Sequence, residues 1–310
     1  MDVDVPGLRA FVAAAEEMHF GRAAQRLFLT QQALSQRVRR LEAVLGASLF
    51  DRTTRRVELT DAGRRVLPRA RETLNAIDSV MAAVRSEPPR LRVDVYDQRF
   101  SSMTLVRGLL DREPRLRVEV SMRQGFQQAV PALLSGEIDA AFGQVRDLPG
   151  RWPAGLESRV VHLVPMHAFV GPDHPLADRG TMRPDELRDA GVVMPDPVAS
   201  EARAFLTRLT GRFGVPIRFV EPAVGLWHYG ELVEREDRGV ALGEAGLELP
   251  KGTSLRRIRL VDPVPLVPWC LAWRSGDTSP ALRAVLRLLP AAVPPPPDDE
   301  SHWLPDDYRD

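Results

Sequence analysis

The 310-residue chain reads as an α/β protein with an all-α head, and three observations predict this. Residues 1–60 carry helical apolar stripes that end in two short extended segments. Residues 61–87 continue as one long helix with heptad spacing, and residues 90–290 alternate strands with helices. At 44% hydrophobic and 27% charged residues the composition is that of a globular protein, which excludes disordered and fibrous classes. No apolar run approaches the roughly 18–20 residues of a membrane span. The acidic start Met-Asp-Val-Asp-Val-Pro lacks the basic and apolar regions of a signal peptide, so the expected compartment is the cytoplasm. The single cysteine, Cys270, excludes an internal disulfide and any multi-cysteine metal site.

The 42 basic and 42 acidic side chains cancel, but they are unevenly placed. Residues 20–71 hold twelve arginines against four acids, a local surplus of eight positive charges, while residues 291–310 hold six acids against Arg309. Nearly all the basic charge is arginine, since Lys251 is the only lysine.

In the head, Leu8, Phe11, Val12 and Ala15 form one stripe of a helix over 6–17, and Ala23, Ala24 and Leu27 mark a short second helix. After a break at Phe28-Leu29, Thr30 is placed to cap a third helix, Gln31–Leu45, which Gly46 ends. Leu34, Val38, Leu41 and Leu45 form its inner stripe, and Gln32, Ser35, Gln36, Arg39 and Arg40 fall opposite. Gln can bond adenine edges, Arg guanine edges, and Ser a base or a phosphate, so this is a helix-turn-helix with a reading face. Leu49–Thr60 adds two extended segments around a basic turn, a wing holding Arg52, Arg55 and Arg56.

Residues 8–67 resemble the winged helix-turn-helix of LysR-type transcriptional regulators. The matching residues are Leu8-x2-Phe11-Val12-x2-Ala15-Glu16, Phe20-x-Arg22-Ala23-Ala24-x2-Leu27 and Thr30-Gln31-x-Ala33-Leu34-Ser35-x3-Arg39-x-Leu41-Glu42, then Leu45-Gly46-x2-Leu49-Phe50-x-Arg52 and Leu59-Thr60-x-Ala62-Gly63. The resemblance implies DNA contact by Arg22, Gln31, Gln32, Ser35, Arg37 and Arg39, with Arg52, Thr53 and Arg55 from the wing. Two departures lie on that face: Gln32 stands where the family frequently has Pro, and Gly21 where it frequently has Ser or Thr.

Thr60 then caps the linker helix, where Leu67, Ala70, Leu74, Ile77, Met81 and Val84 recur at coiled-coil spacing and Pro68 predicts a kink. Such a seam predicts a homodimer, and the resemblance adds a homotetramer. Two reading heads would match two half-sites in double-stranded promoter DNA.

Beyond the linker Ser86-Glu87-Pro88-Pro89, strands are expected at 91–95, 117–122, 138–142, 160–164, 167–170, 192–194, 217–220, 239–242 and 268–273. Helices are expected at 102–113, 126–135, 200–211, 230–236 and 280–289, with a short helix start at 183–187. The pattern is similar to the family's two-lobed α/β effector-binding domain, which is built like a periplasmic binding protein. The expected domains are therefore the head at 1–60, the linker and dimerisation helix at 61–87, the effector-binding domain at 88–290 and a Pro-rich, acidic, disordered tail at 291–310. Lobe 1 would take 90–160 and 267–290, and lobe 2 would take 161–266. Ligands in such folds bind beyond the carboxyl ends of strands. The effector candidates are thus Gln98, Arg99, Ser101 and Ser102, with Arg123, Phe126, Gln144, Asp196 and Trp227. The arginines and serines suit a carboxylate, so the expected effector is small and polar or anionic.

Catalytic and cofactor chemistry is absent from the pattern. His162, His167 and His174 lack metal spacing, the glycines at 239, 243 and 246 form no dinucleotide loop, and no nucleophile has a base. The expectation is a bacterial DNA-binding regulator without cofactor or metal, nucleoid-associated and open to contact with RNA polymerase. The alternatives are a regulator not controlled by a small molecule and a ligand-binding protein whose head is only an interaction module.

Overall fold

The computed structural model describes residues 3–52, 57–85, 90–195, 201–221, 223, 225–291, 293–294 and 301–309, with only the backbone at 52, 79 and 82–85. It divides into two compact units, Met1–Pro89 with Ala132–Ile138, and Arg90–Pro131 with Asp139–Asp310.

The head begins where the Asp4 carboxylate accepts the Gly7 N–H at 2.7 Å and Pro6 occupies the first turn of α1 (Val5–Glu17). Helix α2 (Phe20–Arg26) starts on His19, whose Nδ1 accepts the Gly21 and Arg22 amides. Phe28, at φ 53°, makes the turn into α3 (Gln31–Leu45). Thr30 caps that helix through Oγ1, 3.1 Å from the Ala33 N–H. Gly46 ends it in the left-handed region at φ 67°, where a side chain would be strained. Leu34, Val38 and Leu41 are buried as their spacing predicts, whereas Leu45, in the last turn, stays exposed. Strands β1 (Phe50–Arg52) and β2 (Val57–Leu59) pair antiparallel with Phe50 opposite Leu59. The Phe50 ring sits edge-on to Phe11 and Phe20 at 5.6 and 5.3 Å, locking the wing to the helices.

Helix α4 (Asp61–Arg85) starts on Thr60, whose Oγ1 accepts the Gly63 N–H, and continues through Pro68. It corrects half of the expected dimer seam. Ala70 and Leu74 are buried in the head's own core and Leu67 packs against it. The ion pairs Arg71–Glu16 and Arg9–Asp78 tie the same stretch of α4 to α1. The apolar spacing of Leu67, Ala70 and Leu74 therefore serves packing within one chain. Ile77 is half-buried, Val80 and Met81 are exposed, and the Val84 side chain lies outside the described residues.

In the second unit, β3 (Arg90–Asp94), α5 (Ser101–Arg112), β4 (Arg117–Ser121), α6 (Phe126–Leu134) and β5 (Ala140–Gly143) follow the expected alternation, with β3 parallel to both β4 and β5. The chain continues through β6 (Leu156–Val170), β7 (Thr181–Met182), β8 (Val192–Pro195), α7 (Glu201–Phe213), β9 (Ile217–Val220), α8 (Gly225–Glu234), β10 (Ala241–Glu244), β11 (Arg256–Leu260), β12 (Val264–Arg274) and α9 (Pro280–Leu288). The two strands expected at 160–164 and 167–170 are one strand, β6. Its first part pairs antiparallel with β12, and its last residues, from Met166, pair with β10 and β11. Strand β11 was not anticipated, because Arg256, Arg257 and Arg259 leave only Ile258 and Leu260 as an apolar signal.

Residues 301–309 are a second correction, since they are ordered onto this unit and not a disordered acidic tail. Strand β13 (His302–Trp303) pairs parallel with β12 at Val264 and Pro265. The Trp303 ring lies against Phe205 and Phe213 of α7 at 5.7 and 6.0 Å. Leu304 and Tyr308 are buried. The Tyr308 hydroxyl donates to Asp147 and accepts the Arg146 N–H, both at 2.9 Å, while Arg208 of α7 pairs with Asp147 and Asp307. A composition of Pro and Asp masks these anchors, because three apolar side chains suffice once a groove receives them.

Burial pushes the Asp147 carboxyl up to about 6, with Arg208 opposing. A raised carboxyl holds its proton more tightly in the folded than in the unfolded chain. Its contribution is complete below about pH 4 and is lost as pH rises through about 6. Chemical unfolding across pH 4 to 7.5 should show stability of the wild type falling relative to Asp147→Asn by on the order of 2–3 kcal/mol over that window.

Candidate nucleic-acid interface and effector cleft

The reading face of α3 is built by contrast. Several arginines elsewhere in the head are committed: Arg26 pairs with Glu16 at 2.6 Å, Arg64 with Asp61 at 2.5 Å and Arg69 with Glu72 at 2.8 Å, whereas Arg65 of α4 is exposed and forms no ion pair among the described residues. Arg37, Arg39 and Arg40 are exposed and form no ion pair among the described residues. Gln31 and Gln32 are exposed beside them in the first turn, and Ser35 is half-buried. Arg22, in α2, is held toward the end of α1, donating to the Glu17 carbonyl at 2.6 Å with its side chain still 60% exposed. Glu42, on α3, accepts the amides of Leu49 and Phe50 and so fixes the root of the wing. The Arg52 side chain, Thr53 and Arg55 lie outside the described residues.

The second site is a cavity of about 320 Å³ inside the α/β unit, within the roughly 300–1,000 Å³ of ligand pockets. It lies beyond the carboxyl ends of β3, β5 and β8, against the N-terminal turn of α7, α8 and the end of β10. Its wall is mainly apolar, with Met166, Phe169, Phe205, Leu226 and Trp269 prominent. The polar groups in it are Tyr96, Asp97, Gln124, Gln144, Glu201, Tyr229 and Glu244.

Two carboxylates define its electrostatics. Glu201, at the start of α7, accepts the Phe126 N–H through Oε1 at 2.6 Å, at the first residue of α6. The turn before it places Gln124 at φ 57° and Gly125 at φ 155°; a Cβ on Gly125 would sit 2.6 Å from Gln128 Oε1. Glu244, at the end of β10, accepts the Ser101 N–H at the first residue of α5 through Oε1, and the Trp269 indole N–H at 2.5 Å through Oε2. Burial raises both carboxyl groups above their ordinary range, and the amides facing them pull the other way. Burial, with the Glu201 and Asp97 charges, pushes the Tyr96 phenol up to about 12.

Of the nine expected effector residues, Gln144 alone lines the cavity, and Asp196 lies outside the described residues. Gln98 points to solvent and Trp227 is 55% exposed, away from the lining. Arg99 stays with its neighbour Asp97 at 3.9 Å, and Arg123 pairs with the buried Asp94 at 2.9 Å. Ser101 and Ser102 are buried at the start of α5 behind the wall, and Phe126 is buried against the Trp152 ring. The charged loops therefore neutralise themselves. Glu201 and Glu244 escaped the sequence reading because a glutamate opening a helix or closing a strand carries no local sign of a buried partner.

A basic reading helix on one unit and a walled cavity in the other define a DNA-binding transcriptional regulator with a ligand-sensing domain. Residues 7–64 match the bacterial regulatory helix-turn-helix protein, lysR family, and residues 101–294 match the LysR substrate binding domain. The chain belongs to the LysR family of transcriptional regulators, a family of regulators and not of enzymes. It is 34% identical over 295 residues to the HTH-type transcriptional regulator IlvR of Caulobacter vibrioides, covering 93% of this chain and 97% of that one. It is 32% identical to the HTH-type transcriptional regulator XapR of Escherichia coli, over 68% of this chain and 72% of that one. Among solved structures, its fold is similar to a full-length OxyR variant from Pseudomonas aeruginosa, with TM-score 0.69 and 22% identity over 94% and 97% of the two chains. It is also similar to full-length CbnR complexed with target DNA, with TM-score 0.62 and 22% identity over 92% and 98%.

Trp269→Phe keeps the ring but removes the donor to Glu244, leaving a buried carboxylate oxygen unsatisfied. Denaturant unfolding should show a loss of about 1.5–3 kcal/mol, and a loss below about 0.5 would mean that water replaces the indole.

Proposed function

We propose that this regulator reads a two-half-site promoter element through α3, with affinity set by effector occupancy of the cavity. One observation carries the reading of the head: three exposed arginines on one helix, Arg37, Arg39 and Arg40, form no ion pair among the described residues, while Arg26, Arg64 and Arg69 are each held by a carboxylate. Gln31, Gln32, Ser35 and Arg39 supply base-edge chemistry, and Arg37 and Arg40 the phosphate attraction. Arg22, Arg52, Thr53 and Arg55 extend the contact along the duplex.

The homodimer follows from the far end of α4, where Val80 is 65% and Met81 49% exposed on a helix whose earlier apolar residues are already covered. Two copies joined there carry two heads, and a tetramer would carry four. The cavity, mainly apolar and open on one side, supports control by a small molecule over a purely constitutive regulator. Action in the cytoplasm on promoter DNA, with contact to RNA polymerase, completes the proposal.

Binding to DNA from upstream of its own gene, titrated at several salt concentrations, tests the reading. Arg39→Ala should weaken specific binding by about tenfold or more, whereas Arg26→Ala should change it less than about threefold, because Arg26 is held by Glu16. Equal effects from the two would remove α3 as the reading helix. Val80→Glu together with Met81→Glu should shift the sedimenting species to monomer and reduce binding to a two-half-site fragment. An unchanged dimer would place the interface elsewhere.

A further inference from the structure

Taking the cavity as the effector site, we propose that it selects a compact apolar molecule whose polar end is a hydrogen-bond donor of the ammonium type, and that it rejects carboxylates. The inference rests on that reading of the cavity and adds the chemistry of its ligand.

Helix N-termini beside a cleft are natural places for a ligand anion, because their amides lack partners within the helix. Of those around this cavity, the starts of α5 and α6 are already filled by the protein. Glu201 occupies the start of α6 through the Phe126 N–H, and Glu244 the start of α5 through the Ser101 N–H. Glu244 is saturated, since its second oxygen takes the Trp269 indole. Glu201 is not: it is 2% exposed, it lines the cavity, and its Oε2 has no hydrogen-bond partner among the described residues. Gln144 Oε1, on the same wall, is likewise buried and unpartnered. Asp97, also on the wall, is already paired with Arg99, and no Arg, Lys or His is among the described residues of the lining.

A carboxylate entering this space would lose its hydration and meet like charge without a cationic partner. An ammonium brings up to three donors to these acceptors, and its positive charge opposes the effect of burial on the Glu201 carboxyl. The apolar surface of Met166, Phe169, Phe205 and Leu226 covers its body.

The test uses the full-length protein and three probe sets on matched apolar bodies: benzylamine, phenethylamine and hexylamine; the corresponding alcohols; and benzoate, phenylacetate and hexanoate. Titration calorimetry and ligand-detected NMR follow binding to the wild type, to Glu201→Gln and to Ala202→Trp, which fills the cavity beside Glu201. Glu201→Gln retains the acceptor for Phe126 N–H, and its unfolding midpoint reports that it folds. The amines should bind at least about tenfold tighter than the carboxylates, and Glu201→Gln should remove that advantage, the scale of one charge-assisted hydrogen bond. Ala202→Trp should abolish binding of all three sets. Carboxylates binding as tightly as amines, and blocked by Ala202→Trp, would overturn the ligand class and leave the cavity as the effector site. Binding indifferent to Ala202→Trp, or no binding by any probe set at millimolar concentration, would overturn the site and the ligand class together.

Discussion

The effector unit depends on one antiparallel pairing, that of β6 with β12. Strand β6 is 15 residues long and serves two sheets in turn, pairing with β12 from Leu156 to Pro165 and with β10 and β11 from Met166 onward. The change of partner occurs where Met166, Val267 and Trp269 reach the cavity wall. A backbone ladder has every amide committed, so the strand can bend at this point but cannot lengthen. The two lobes are consequently coupled through strands and not through loops.

Electrostatics separate the two units by function. In the head, Glu16, Asp61 and Glu72 each neutralise an arginine, and among the described residues three of the exposed arginines without an ion pair, Arg37, Arg39 and Arg40, lie on α3. The zero net charge of the whole chain is therefore compatible with a polyanionic partner, because recognition responds to the field within about a Debye length, ~8–10 Å. In the effector unit, the charges of Asp94, Arg123 and Asp97 are consumed in short-range pairs, and the residual polarity inside the cavity is acidic.

Local signals were legible wherever periodicity and capping coincide. Thr30 and Gly46 bound α3, and Leu34, Val38 and Leu41 give its inner stripe, so helix and face could both be read from the chain. Leu67, Ala70 and Leu74 show the limit of that logic. A heptad stripe states that a face is covered, but not whether the cover is α1 of the same chain or α4 of another. The tail at 301–309 and the wall of the cavity were illegible for a different reason. Trp303 finds Phe205 and Phe213 across about ninety residues, Glu201 finds the Phe126 amide across 75, and Glu244 finds Ser101 across 143. Partners that distant leave no trace in spacing.

The two glutamates also explain why charged loops misled the reading of the effector. Arg99 and Arg123 suggest an anion site when counted as sequence, yet each lies beside a carboxylate, Asp97 at 3.9 Å and Asp94 at 2.9 Å. The buried amides at the starts of α5 and α6 still require acceptors, because an unsatisfied buried donor costs about 1–3 kcal/mol. A chain that left them to a ligand would be destabilised whenever the ligand was absent. Filling them with Glu201 and Glu244 keeps the empty domain intact at the cost of burying two carboxylates, whose raised pKa values record that burden. Only Oε2 of Glu201 is left without a partner in that arrangement. The polarity available to a ligand is then set by what the fold did not need for itself: one carboxylate oxygen and a glutamine oxygen on an apolar wall.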